Sequence, residues 1–192
     1  MPIEKERILA LKSLFSKAEA AIHEAEGLHE DVIIPSINQL RYAGYHLLIA
    51  LTDDEQIEVQ MTKAENHCQR AVFDANDSIL NYLLANIAQF RRDYRLIALG
   101  PHFPEYKEAF RIEREAQEFL KKAKQNQKSR EKFYAESQDM VNKLIQAHNA
   151  MEESREELNK ELKRHNRDVI IKYATFILLF LGSIITIMKL FN

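Results

Sequence analysis

Apolar residues recur three and four positions apart along most of this chain, and no stretch alternates them with polar ones as a strand requires. The pattern predicts an all-α protein, a bundle of long helices. A first helix is expected from about Ile3 to Leu28, with Ile8, Leu11, Phe15, Ala18 and Ile22 on one stripe. A second starts at Ser36, an N-cap residue after Pro35, and carries Ile37, Leu40, Gly44, Leu47, Leu48 and Leu51 at helical spacing. Thr52-Asp53-Asp54-Glu55 caps a third, expected to reach about Leu99 with Ile57, Met61, Ala64, Cys68, Ala71, Ala75, Ile79, Tyr82 and Phe90 inward. Gly27, Pro35 and the segment Gly100-Pro101-His102-Phe103-Pro104 are the strong breakers.

From Glu105 to Leu181 there is neither Gly nor Pro, so a fourth helix is expected to run unbroken over more than roughly 100 Å. Met140, Leu144, Ala147, Met151, Leu158, Leu162 and Val169 form a weak coiled-coil seam in it, with Arg155 and His165 as polar occupants. Val169 to Met188 is then an apolar run broken only by Lys172. At 1.5 Å per residue it spans roughly 30 Å, the thickness of a bilayer core, and it reads as a single-pass transmembrane anchor whose Lys172 snorkels to the headgroups. Lys160, Lys163, Arg164, Arg167 and Lys172 precede the span and only Lys189 follows it, which places residues 1 to about 168 in the cytoplasm, beneath the inner membrane if the source is bacterial. Met1 to Arg7 hold no apolar signal region, so the expectation is a tail-anchored protein. Three parts follow: a helical bundle over 1–104, a stalk helix over 105–168 and an anchor over 169–190.

Composition acts mainly by exclusion. Four Gly, four Pro, 29% charged residues and a net charge of −2 suit a helical domain with no bulk attraction to nucleic acid or anionic lipid. The single Cys68 rules out an intramolecular disulfide and a multi-Cys zinc site. The seven His are dispersed; His23 with Glu26 and Glu30 is the nearest approach to a ligand set and reads as a solvated helix end. A glycine-rich phosphate loop is absent, and no metal or cofactor is expected. Local basic clusters remain: Arg91, Arg92 and Arg95, then Lys121, Lys122, Lys124, Lys128, Arg130 and Lys132. These either hold RNA phosphates or form a solvated helix face. Thr175, Gly182, Ser183 and Thr186 make a small-residue face in the span, and with the seam through Leu144, Met151, Leu158 and Leu162 they predict a homo-oligomer.

Two polar groupings interrupt the apolar faces. His67, Arg70 and Asp74 line one face of the third helix, either as a buried network fixing the packing or, with Arg41, as a phosphate or nucleotide site. In the second helix, Arg41-Tyr42-Ala43-Gly44-Tyr45-His46 resembles the Arg/His motif of HEPN ribonucleases. That resemblance implies His46 as a base for a ribose 2′-hydroxyl and Arg41 as the stabiliser of a developing phosphorane, converging across a dimer interface. Taken with Asn38 to His46, His67 to Ala71 and the membrane span, the chain is similar to HEPN-like accessory proteins of prokaryotic antiviral defence, of the kind found in type VI-B CRISPR loci. The resemblance covers roughly residues 30 to 100. It implies a membrane-bound oligomer that perturbs the bilayer, with lipids, further copies of itself, and RNA or an RNA-guided effector as partners. Two other readings stay open: a membrane-tethered, metal-independent endoribonuclease, and a SNARE-like tethering adaptor with Arg155 as a polar layer.

Overall fold

The computed structural model describes residues 4–125 and 130–190, and among them there are helices and no strand. The elements are α1 (Lys5–His29), α2 (Ile34–Thr52), α3 (Ile57–Asp93), α4 (Tyr106–Gln125) and α5 (Arg130–Leu190). The expected all-α class is the observed one, and α3 is its spine.

The spine can be central because it is apolar on more than one side. Ala64, Cys68, Ala71 and Ala75 are fully buried in its first half, where small side chains let neighbouring helices come close. Ile79, Leu80, Leu83, Ile87 and Phe90 are buried in its second half and fill a wider core. Against the first half lie α1 and α2, enclosing Leu11, Ala43, Ala50, Met61 and Cys68. Burial pushes the Cys68 thiol up to about 11, so it acts as a small apolar residue. Directions follow from side-chain contacts. Arg7 Nε donates to Glu65 Oε1 at 3.1 Å and His29 meets Ser78, so α1 runs parallel to α3. His46 meets Gln60 and Gln39 meets His67, so α2 runs antiparallel to it.

Helix ends depart from expectation in physically legible ways. The first helix continues through Gly27, and the left-handed residue that stops it is Glu30 (φ 55°), whose N–H donates to Glu26 O. The second begins at Ile34 with Pro35 in its first turn, where a missing N–H costs nothing, and Ser36 is buried inside the helix. Asp53 organises the α2–α3 turn by accepting from Glu55 N at 3.1 Å and Gln56 Nε2 at 2.6 Å, and α3 starts only at Ile57. At its far end α3 stops at Asp93, six residues before the expected Leu99, because Phe103 folds back as a buried plug edge-on to Phe90, 6.0 Å between centroids.

The unbroken fourth helix is a correction. Two helices occupy that stretch, and they pack antiparallel: Phe119 meets Phe133 at 5.6 Å and His102 meets Glu161 at 3.8 Å. The reason lies in α4, whose buried positions Ala109, Glu113, Ala116, Phe119, Leu120 and Ala123 form a stripe that a straight continuation would leave in water. Reversal covers it, and the run from Lys124 to Lys132 contains no apolar residue that the reversal would expose. The seam of α5 is likewise taken up inside the chain. Val141, Leu144, Met151 and Leu158 are fully buried, and Leu162 packs against the same cluster.

Beyond that core α5 simply continues. From Ile170 to Thr186 every residue is exposed, including Phe176, Leu178, Leu179 and Phe180 at 59–70%. Among the described residues α5 is the one helix long and apolar enough to cross a membrane, with a mean hydropathy of 2.1 over its best window and none of that window buried. A soluble core helix of this composition would be covered.

Candidate functional site

The side chains of α2 that face α3 on the flank away from α1 are polar and aromatic. Asp53 is the origin of their order. A carboxylate only accepts, so Gln56 must turn its Nε2 toward Asp53 Oδ2, and its Oε1 then accepts from Gln60 Nε2 at 2.7 Å. Gln60 Oε1 is thereby left facing His46 Nδ1 at 2.6 Å. The relay places the proton of neutral His46 on Nδ1 and the lone pair on Nε2. His46 stacks on His67, 5.2 Å between centroids and 11° between planes, and His67 Nδ1 in turn lies 2.8 Å from Gln39 Oε1. Tyr42 and Tyr45 flank the pair at 5.5 and 5.7 Å. Burial, then His46, then Arg70 hold the His67 imidazole below its usual range, so it is neutral where a free histidine begins to protonate.

Arg41 does not join this group. Five residues on a helix turn about 500°, so Arg41 and His46 point about 140° apart. The Arg41 guanidinium is exposed and lies 5.0 Å over the ring of Tyr42. Arg70 is exposed and Asp74 half-buried, so the two are not buried to the depth that the network reading expected. Both line an open groove of about 620 Å³ where α1 turns into α2, with His29, Asp31, Gln39 and Asp77 around it. His29 belongs to the wall: its Nε2 lies 3.0 Å from Ser78 O, and its ring packs on Tyr82 at 4.6 Å.

The basic clusters are dispersed. Arg91 is engaged, donating to the buried Glu113 at 3.0 Å with its guanidinium 4.7 Å over Phe110. Arg92 donates to Gln89, and Arg95, Lys121, Lys122 and Lys124 are exposed. Lys128 lies outside the described residues, as do the side chains of Arg130 and Lys132. His23 and Glu26 are 3.6 Å apart at an exposed helix end, and among the described residues no three His, Cys, Asp or Glu converge as metal ligands. No family model, curated protein or solved structure matches this chain. The HEPN resemblance therefore stands on its short motifs alone.

Periodicity could not reveal three of these features. The Asp53-Gln56-Gln60-His46 relay joins two helices through a turn. Arg155, expected as a seam residue, instead sits 5.3 Å over Phe90 and 6.0 Å over Tyr94, with Nη1 3.5 Å from Asp93. Tyr94 Oη donates to Asn159 at 2.9 Å, and Asn76 Nδ2 to Ser137 Oγ at 2.9 Å. These contacts lock α5 parallel to α3 from Ser137 near its start to Asn159, ten residues before the apolar run begins. In the span itself, the hydroxyls of Thr175, Ser183 and Thr186 donate to the carbonyls of Ile171, Leu179 and Gly182, and a Cβ at Gly182 would meet open space.

Proposed function

We propose that this chain is a single-pass membrane protein, cytoplasmic up to about residue 168, that works as an adaptor by pairing its helical head with a partner head. The observation that carries the reading is the continuity of α5. One helix supplies Val141, Leu144, Met151 and Leu158 to the core of the head and then presents a fully exposed apolar surface of bilayer length. No flexible linker intervenes, so the head is held rigidly at the membrane.

Among the modes of action open to such an anchor, a polar pore finds little support. The span's hydroxyls are spent on its own backbone, and Lys172 is its one charged residue before Lys189. The small face of Thr175, Gly182, Ser183 and Thr186 suits close helix packing within one membrane. A second reading, ribonuclease action, is favoured by the relay that leaves His46 Nε2 as an acceptor, but Arg41 points away from it within one chain.

Reconstitution into dye-loaded vesicles tests the proposal. The full chain should float with the vesicles and resist carbonate, and residues 1–168 should be digested by protease only on the face carrying the head. Removal of residues 169–192 should release the protein. Dye leakage lost on Gly182→Leu would turn the reading to membrane disruption, and RNA cleavage lost on His46→Asn would turn it to the ribonuclease.

A further inference from the structure

One face of α2, apolar apart from Arg41, is left largely uncovered by the rest of the chain. Ile34, Ile37, Arg41, Gly44, Leu48 and Leu51 fall on it at spacings of 3, 4, 3, 4 and 3, the a/d pattern of a coiled coil. Ile34, Leu48 and Leu51 are 58–63% exposed, where the inward Ala43 and Ala50 are 1–2%. A Cβ built at Gly44 meets nothing within 4 Å.

The order of residues on this stripe is close to palindromic. Read antiparallel against itself, Ile34 meets Leu51, Ile37 meets Leu48 and Arg41 meets Gly44. Apolar side chains then face one another at both ends, and at the centre the largest side chain faces the residue that has none. A parallel pair would set Arg41 on Arg41 and leave a void at Gly44 on Gly44, so like charge and lost packing both oppose it. Lipid is excluded by distance. His46 beside Gln60 and Gln39 beside His67 put the middle of α2 level with about residue 64 of α3. From there to Tyr94 is about 45 Å along the helix, and from Asn159 to Val169 about 15 Å more, so the stripe stands roughly 60 Å from the bilayer.

We propose that the stripe binds the same stripe of a second copy, antiparallel, and that the two copies stand in facing membranes. The second part rests on the anchor reading above. Because α2 lies antiparallel along α3 and α5 lies parallel along it, α2 shares the axis of the helix that enters the bilayer and runs opposite to it. Copies in one membrane present their α2 helices parallel. An antiparallel pair needs a two-fold axis across the helices, and that axis turns the second anchor toward an opposite membrane.

Full-length Arg41→Cys and Gly44→Cys proteins, reconstituted in separate phosphatidylcholine vesicles and then mixed under mild oxidation, test this directly. Both positions are open, so the variants fold, and the native Cys68 is buried and does not compete. The expected result is a 41–44 disulfide between the two vesicle populations with vesicle clustering, both reduced at least tenfold by Leu48→Glu. A 41–41 disulfide within one population overturns the antiparallel pair. So does the absence of any disulfide, or clustering untouched by Leu48→Glu, which would assign the face to another occupant. Flotation keeps the two proposals apart: protein that does not float defeats the anchor reading, and the same mixture in detergent must then still give the 41–44 disulfide.

Discussion

His46 and His67, contributed by different helices, stack with their rings 5.2 Å apart and nearly parallel, and each is held at Nδ1 by a glutamine oxygen. At that distance a charge on His46 opposes protonation of His67. Burial and the nearby Arg70 act on His67 in the same direction.

A folded-state value below the unfolded one means that the unfolded chain takes up the proton more readily. Stability from His67 is therefore present above the unfolded value of about 6.5 and is lost as pH falls below it, levelling off beneath the folded value. The thermal midpoint of the wild-type protein should drop on acidification from pH 7.5 to 5.5 by more than that of His67→Asn. Parallel curves for the two proteins would show that the stack carries no titratable stability.

Leu158 should behave as a core residue of one chain. Its side chain is fully buried in the cluster shared by α3, α4 and α5, and truncation to Ala leaves a cavity that costs about 2–5 kcal/mol. Leu158→Ala should lower the denaturation midpoint without changing the mass of the assembled species. A change in oligomer size with unaltered stability would return Leu158 to the intermolecular seam expected from heptad spacing.

Arg91 and Glu113 should respond unequally to mutation. Glu113 is 3% exposed while the Arg91 side chain is half exposed, so Arg91→Ala strands a buried carboxylate that Glu113→Gln does not create. Arg91→Ala should be the more destabilising by about 1–3 kcal/mol. Equal losses measured by chemical denaturation would mean that Gln117 and water satisfy the carboxylate.

Gly44→Ala separates the fold from the pairing surface. The new methyl meets nothing within the chain, and Ala exceeds Gly in helix propensity by about 0.8–1 kcal/mol, so the head should gain stability. Its thermal midpoint should rise, while the larger Gly44→Leu should weaken association by filling the space that Arg41 of a second copy requires. A lower midpoint for Gly44→Ala would mean that α2 needs the glycine for its own conformation.

Sequence alone determined those properties that depend on the order of residues within one helix. The all-α class, the inward row from Met61 to Ala75 and the apolar run of the span are of that kind, because a 3.6-residue period and a 20-residue apolar stretch are local facts. Tertiary structure decided what depends on which helix lies opposite. The stripe of α4 and the seam of α5 are each legible as amphipathic, yet only the hairpin pairs them with each other and with α3, turning Leu144, Met151 and Leu158 from a surface into a core. His46 and Arg41 are five residues apart in the chain, but the neighbours α3 brings, Gln60 and His67 to one and open solvent to the other, separate their chemistry. A side chain's periodicity tells which way it points; burial, partners and protonation belong to the surface it meets, and that surface comes from distant parts of the chain.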